Sequence, residues 1–348
     1  MKKMHFLDKP LITNIFFKLL SISKIEEYKY PYIFGKAKSK LSNLIKNNLD
    51  DKLYDLVFVI HDAKGWILEA ICREIATYFP GNYFFAYSLT DLPQAKAYFF
   101  AHYSFLPIAL KQNPILWQSK LLVWYTHPKD IGRSNEELVY TLNQSTKVIC
   151  TCSQFVELLQ NQGVNSKKTT FILGGADPAI FQPHQRSNGA VGFCTAYYAR
   201  KSPELIFNII KSMPHRKFII LGRNWDEYER FEELIALPNL SYIQAPYSDY
   251  PKYYAEMDVF VSPAKLEGGP IPLVEAMMCN IVPVASRTGF APDIINHGDN
   301  GFIFDIDSPC EVVCKLIDQA FNIQANISQT VEHLSWKNFS LEVQELLK

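Results

Sequence analysis

The sequence predicts an α/β protein of two consecutive doubly wound units, each a parallel sheet with helices on both faces. Three observations point there. The chain has 348 residues, of which 48% are hydrophobic and 20% charged, which is too long for one compact core and too apolar for disorder. Short apolar runs alternate with longer amphipathic ones, the pattern of buried parallel strands separated by helices. That alternation pauses once, in a cluster of Pro, Asn and Gly, and then restarts.

In order, "DLVFVIH" reads as a strand, "WILEAICREIATYF" as a helix and "NYFFAYSL" as a strand. "KLLVWYTH" and "TKVICTCS" are strands, "SQFVELLQNQG" a helix and "TTFILGG" a strand. The pause falls at "DPAIFQPHQRSNGA", which sets the domain boundary near residue 186. After it come "AVGFCTA", "PELIFNIIKSM", "KFIILG", the helix "DEYERFEELIA", "LSYIQA", the helix "YPKYYAEM", "DVFVSPA", "LVEAMMC", "GFIFD" and "PCEVVCKLIDQAF". The expected organisation is a basic segment over 1–55, part of or packed on the first domain, then Rossmann-like domains over 56–186 and 187–325 and a terminal helix over 326–348. Ligands of such sheets sit beyond the carboxyl ends of the strands, so the site is expected in the cleft between the domains.

Charge is balanced, 35 basic against 35 acidic residues, which argues against nucleic acid as a partner. Seven cysteines without repeated spacing suit a reduced, cytoplasmic protein. No run reaches the roughly 18 apolar residues that span a bilayer, and no cleavable signal is evident. The first 55 residues hold 11 lysines against 6 acids, and "LITNIFFKLLSI" sets Ile12, Ile15, Phe16, Leu19 and Leu20 at helical spacing. Such a helix either packs on the first domain or makes peripheral contact with anionic lipid at the inner face of the membrane.

The densest chemistry lies in "KLEGGPIPLVEAMMC", between the strand "DVFVSPA" and a helix whose first turn suits Pro272. A loop at a strand's carboxyl end and a helix's amino end favours an anion such as phosphate, and Gly268 and Gly269 allow close backbone approach. Two carboxylates beside a phosphate repel it unless they face hydroxyls, for which carboxylates are good acceptors. Glu267 in the loop then reaches a sugar, and Glu275, inside the helix, a ribose diol. A plainer reading leaves Glu275 complementing the helix dipole and Glu267 solvated.

Together with its flanks "YYAEMDVFVSPAKL" and "GFAPDIINHGDNGFIFD", and with "TKVICTCSQFVELLQNQGVNSKKTTFILGGADPAIFQP" upstream, "EGGPIPLVEAMMCNIVPVAS" resembles the nucleotide-sugar site of glycosyltransferase family 4. That family has the GT-B fold and a signature of two glutamates with seven residues between them. The resemblance covers residues 100 to 305. It implies a retaining glycosyltransferase that moves a sugar from a nucleotide diphosphate donor to a glycan, lipid-linked or small-molecule acceptor, without a metal or other cofactor. It implies that Glu275 holds the ribose, that Glu267 binds hydroxyls of the transferred sugar and that the Gly268 and Gly269 amides contact that sugar. Pro270 departs from the pattern because it has no N–H to give, and Asn280 stands where Gly commonly ends the helix.

The family places an Arg after the Gly of the second domain's first strand and a Lys a few residues on, both on the diphosphate. Here Phe193 fills the Arg position, Lys201 matches the Lys, and Arg200 is expected to replace the missing guanidinium. The competing reading is a charged loop in which Ser202 caps a helix. His127 in "VWYTHPKD" and His102 in "FFAHYS" stand at strand exits and resemble histidines lining the family's cleft. Gly65 in "HDAKGW" gives room to donor phosphate or acceptor, while Trp66 fits core and sugar platform equally. "DID" at Asp305–Asp307 imitates a metal-binding acidic pair but has the flanks of an ordinary strand exit. GxGxxG, a phosphate loop and a serine elbow are absent, against dehydrogenase, ATPase and hydrolase readings. The alternatives are a nucleotide-sugar or carbohydrate-binding protein without catalysis, suggested by Phe193 and Pro270, and a nucleotide-sugar isomerase.

Overall fold

The computed structural model describes residues 53–348 apart from Trp66, Asp130 and Asn188, so all but the last three residues of the basic segment over 1–55, its helical run included, lie outside the described residues. Two six-stranded sheets, parallel throughout, form the frame. The first contains β1 (Tyr54–Val59), β2 (Tyr83–Ala86), β3 (Ala95–Phe100), β4 (Lys120–Tyr125), β5 (Lys147–Cys150) and β6 (Thr169–Phe171), in the order β2-β1-β3-β4-β5-β6. The second contains β7 (Ala190–Cys194), β8 (Phe218–Leu221), β9 (Leu240–Ile243), β10 (Met257–Ser262), β11 (Val282–Ser286) and β12 (Phe302–Phe304), in the order β12-β11-β10-β7-β8-β9. All five residues of β7, all four of β8 and all five of β11 are buried, as continuous apolar runs covered on both faces require.

The helices of the first unit are α1 (Ile67–Thr77), α2 (Leu106–Gln112), α3 (Asn135–Leu142) and α4 (Ser153–Asn161). Those of the second are α5 (Pro203–Ser212), α6 (Phe231–Ile235), α7 (Tyr250–Tyr254), α8 (Ile271–Met278), α9 (Ala291–Ile294) and α10 (Cys310–Ala320). The expected helix "DEYERFEELIA" is divided: a 3-10 turn over Trp225–Glu227 and the short α6 are separated by Tyr228 with extended backbone. Tyr228 is drawn inward, its ring edge-on to Trp225 and its hydroxyl donating to Glu204 at 2.6 Å, and that anchor interrupts the helix. Residues 326–348 hold two helices, α11 (Ile327–Val331) and α12 (Trp336–Glu345). α12 returns to the first unit, where Phe339 lies 5.0 Å from the Trp124 ring and Ser340 Oγ donates to the Ile75 carbonyl at 2.8 Å.

Strand order locates the binding crevices. Each sheet reverses its winding once, between β1 and β3 in the first and between β7 and β10 in the second, and side chains from the two diverging loops converge at such a point. The loops after β1 and β3 carry Gly65 and His102, and the loops after β7 and β10 carry Lys201 and Glu267.

Candidate active site

The loop after β10 passes between the two domains with almost no clearance. A Cβ built on Gly268 would stand 2.2 Å from the Thr126 carbonyl oxygen of the first domain, and one on Gly269 would stand 2.8 Å from the Phe290 ring. Both positions therefore require glycine for packing, whatever their amides also contact. Close by, Asp293 of α9 accepts the Ser153 N–H at 3.1 Å and the Ser153 hydroxyl at the start of α4. A carboxylate of one domain thus caps a helix of the other, where free N–H groups and the helix dipole favour it.

Glu267 is buried and its N–H donates to Thr288 Oγ1 at 3.1 Å, which fixes the residue's backbone. Its carboxylate is gripped by two cations from the loop after β7: Lys201 Nζ on Oε1, and Arg200 Nη1 on Oε2 at 3.2 Å. Arg200 also donates to the Leu266 carbonyl at 2.9 Å and accepts the Lys265 N–H at 2.8 Å through its own carbonyl, so the two loops are stitched together. Both cations stand in the 3-10 turn Ala199–Lys201, followed by Ser202 at φ 56°. Ser202 makes no side-chain cap to α5, contrary to the charged-loop reading. Phe193 is fully buried, with its ring 6.0 Å from Phe218, so a guanidinium on that side chain would stand in the core. Lys201, Glu267, Pro270, Thr195, Ser262 and Leu273 line one pocket.

The amino end of α8 offers few donors to an anion. Pro270 and Pro272 have no N–H, and the Leu273 N–H turns back to the Pro270 carbonyl at 2.8 Å. Positive charge here comes from side chains more than from the helix end expected to supply it. Asn280 ends α8 in the left-handed region at φ 67° and ties the helix down: its side chain donates to the His184 carbonyl and accepts the Ile327 N–H.

Glu275 is 1% exposed. Tyr247 donates to its Oε1 at 2.5 Å and Tyr254 to its Oε2 at 2.9 Å. Burial raises its pKa to about 7, although the two phenols pull the other way. It neither lies exposed on the helix nor serves the dipole of the first turn.

In the first domain His127 sits beyond β4, its pKa lowered by burial first and then by Arg200 across the cleft. His102, beyond β3, is pushed down to about 4 by burial with His127 and Lys129 nearby, and it stacks on Tyr103 at 4.4 Å. Both imidazoles are thus favoured in the neutral form. Gly65 adopts φ 77°, and its N–H donates to Glu69 Oε2 at 2.5 Å, while Tyr87 and Arg73 donate to Oε1 of the same carboxylate. The Gly65 amide is therefore engaged within its own helix entry. Trp66 lies outside the described residues. Asp305 pairs with Arg287 at 3.1 Å, and among the described residues no group of three His, Cys, Asp or Glu is arranged to hold a metal ion.

Sequence reasoning did not single out Tyr247, Tyr254, Asp293, His61 or Thr126. His61 follows β1 at φ 48°, and His61 Nδ1 and Thr126 Oγ1 are buried without a hydrogen-bond partner among the described residues. Both belong to loops facing the cleft, and the strand-exit argument that found His102 and His127 applies to them equally.

Two Rossmann-like domains of six parallel strands, with charged residues of the second facing histidines of the first, define a GT-B protein. Residues 189–329, which make up most of the second domain, match the family model of "Glycosyl transferases group 1". The chain is 26% identical over 240 residues to O-antigen chain mannosyltransferase B of Escherichia coli, covering 62% of this chain and 59% of that protein. It is 21% identical over 209 residues to an uncharacterised glycosyltransferase of Methanocaldococcus jannaschii, covering 58% of each. The chain thus spans less than two thirds of these curated relatives. Among solved structures, Anabaena HepE in complex with UDP and glucose superposes with a TM-score of 0.65 at 15% identity, covering 84% of this chain and 99% of that one. The lipopolysaccharide outer core galactosyltransferase WaaB, in its apo form, gives 0.62 at 13% identity with the same coverage. No helix among the described residues is long and apolar enough to cross a membrane.

Proposed function

We propose that the protein is a retaining glycosyltransferase that moves a hexosyl group from a nucleotide diphosphate sugar to a glycan, lipid-linked or small-molecule acceptor on the cytoplasmic side. The observation that carries this reading is the convergence of Lys201 and Arg200 on buried Glu267 at the switch point of the second sheet. Departure of a nucleotide diphosphate leaves charge on its outer phosphate, and two consecutive cations in one turn are placed to receive it. Glu267, relieved of those cations by the diphosphate, then accepts hydroxyls of the transferred sugar. The acceptor hydroxyl attacks on the face from which the nucleotide leaves and passes its proton to the departing phosphate oxygen. No protein nucleophile takes part in that path, and neutral His127 is suited to orient the acceptor hydroxyl by a hydrogen bond.

Glu275 is the ribose anchor in this scheme, and the UDP bound by HepE supports a nucleotide sugar as the donor class. Lysine and arginine serve the diphosphate without a divalent metal. The test is a panel of UDP, GDP, ADP and CMP sugars, followed by product analysis with and without chelator. Transfer with retained anomeric configuration in excess chelator is expected. Inversion of the anomer, or activity restored only by magnesium or manganese, overturns the corresponding part of the mechanism. Donor binding without transfer to any acceptor favours the non-catalytic binding protein, and sugar interconversion without acceptor favours the isomerase.

A further inference from the structure

The two phenols on Glu275 are not equivalent. Tyr254 is fully buried, edge-on to Phe181 at 5.6 Å, and its hydroxyl also lies 3.3 Å from the Pro272 carbonyl, so it belongs to the frame of the site. Tyr247 opens a single 3-10 turn, Tyr247–Asp249, and remains 54% exposed. Its ring meets Phe181 at 5.9 Å and Tyr250 at 5.3 Å, while its hydroxyl closes over a carboxylate that is 1% exposed. A side chain that is half open to solvent, and whose hydroxyl bonds only this carboxylate, is a cover that can rotate away with little change to the core. Glu275 Oε1 is thus held by the more exposed of the two phenols.

Resting on the reading of Glu275 as ribose anchor, we infer that Tyr247 gates the nucleoside end of the site: its hydroxyl stands on Glu275 Oε1 where a ribose hydroxyl of the donor takes over. The exchange replaces one hydroxyl donor by another, so the buried carboxylate keeps its partner throughout, and an unmatched buried acceptor never has to form. The gate therefore selects. A nucleotide with a ribose diol can take over the position, whereas one lacking both hydroxyls leaves Tyr247 where it is and gains nothing from Glu275.

The inference is tested by calorimetry with UDP, GDP and ADP on the full-length protein, followed by comparison of the best of these with its 2′,3′-dideoxy counterpart, on wild type and on Tyr247→Phe. The variant loses only a hydroxyl from a half-exposed ring, and its thermal unfolding is measured alongside to confirm an intact fold. Tyr247→Phe is expected to bind the ribonucleotide about fivefold or more tightly than wild type, because no bond has to be surrendered first, and to bind the dideoxynucleotide as wild type does. Equal or weaker ribonucleotide binding by the variant, or the same gain for both nucleotides, overturns the gate while leaving Glu275 as anchor. Affinity that is the same for ribo- and dideoxynucleotides in both wild type and Tyr247→Phe, or no binding of any of the three diphosphates, overturns the ribose reading itself and the gate with it.

Discussion

Replacing Gly268 by Ala tests whether the loop's glycines serve domain approach. The added methyl would stand 2.2 Å from Thr126 O, 3.1 Å from Thr126 C and 3.3 Å from Thr151 Oγ1. Ordinary van der Waals contact begins near 3.4 Å, so the Thr126 backbone, at the end of a central strand, must retreat by about 1 Å. If the domains hold together, the strain costs about 1–3 kcal/mol, seen as a fall of a few degrees in Tm. If they separate instead, Tm changes less, but the Asp293–Ser153 bonds break and Glu267 moves away from His127. Gly269→Ala is the comparison, because its methyl meets buried Phe290 at 2.8 Å within the same domain and destabilises without prying the cleft open. Gly65→Ala completes the series: nothing lies within 4 Å of its Cβ position, and only its φ of 77° is penalised, by about 1 kcal/mol. Calorimetric melting with small-angle scattering reads all three. An increased radius of gyration or a lowered Tm is expected for Gly268→Ala, and an increased radius for that variant alone. Wild-type radius, melting and transfer in Gly268→Ala would refute the reasoning.

Glu267→Gln releases Lys201 and Arg200, raising the local charge by one; free nucleotide diphosphate should bind about tenfold more tightly while sugar transfer falls, and unchanged binding by calorimetry counts against the shared cations. Glu275 gives a pH signature. Its pKa of about 7 lies above the ordinary 4.5, so the folded chain holds a proton the unfolded chain has lost, and stability declines as pH rises from about 4.5 through 7. Glu275→Gln removes that decline, and its advantage over wild type, at most on the order of 3 kcal/mol, should appear above pH 7 and close below pH 5 in denaturant titrations. A constant difference across that range contradicts the buried-acid account. Deleting residues 1–24 should reduce sedimentation with anionic vesicles and leave transfer to a soluble acceptor intact; equal sedimentation supports a helix packed on the first domain.

The doubly wound class was legible because each buried strand is a local event. "VGFCT" and "KFIIL" are apolar runs that need no distant residue to be recognised, and turn residues mark their ends. Glu267, Lys201 and Arg200 were legible as candidates because they occupy loops that such topology aims at one crevice. Their pairing was not, since a salt bridge between residues 66 positions apart leaves no local pattern. α3 is faint for a different reason: only Thr141 and Leu142 of its eight residues are buried, which makes its apolar stripe too thin to read. The return of α12 to the first unit and the two phenols on Glu275 likewise depend on contacts across the fold.

The two glutamates of "EGGPIPLVE" answer different electrostatic problems, and their neighbours show which. Glu267 is buried against two full charges, so any ligand group that takes those cations must itself be anionic, and the carboxylate it releases is left to accept hydrogen bonds from whatever lies alongside. Glu275 is buried against two neutral hydroxyls, and an anion brought there would meet a carboxylate with no cation to soften the repulsion. A ligand that satisfies both must carry negative charge at one end and a pair of hydroxyl donors at the other. A nucleotide diphosphate meets both demands, and in the proposed mechanism its phosphates lie toward Lys201 and Arg200 and its ribose diol toward Glu275. The spacing of one loop and one helical turn between the acids then sets the distance between the two halves.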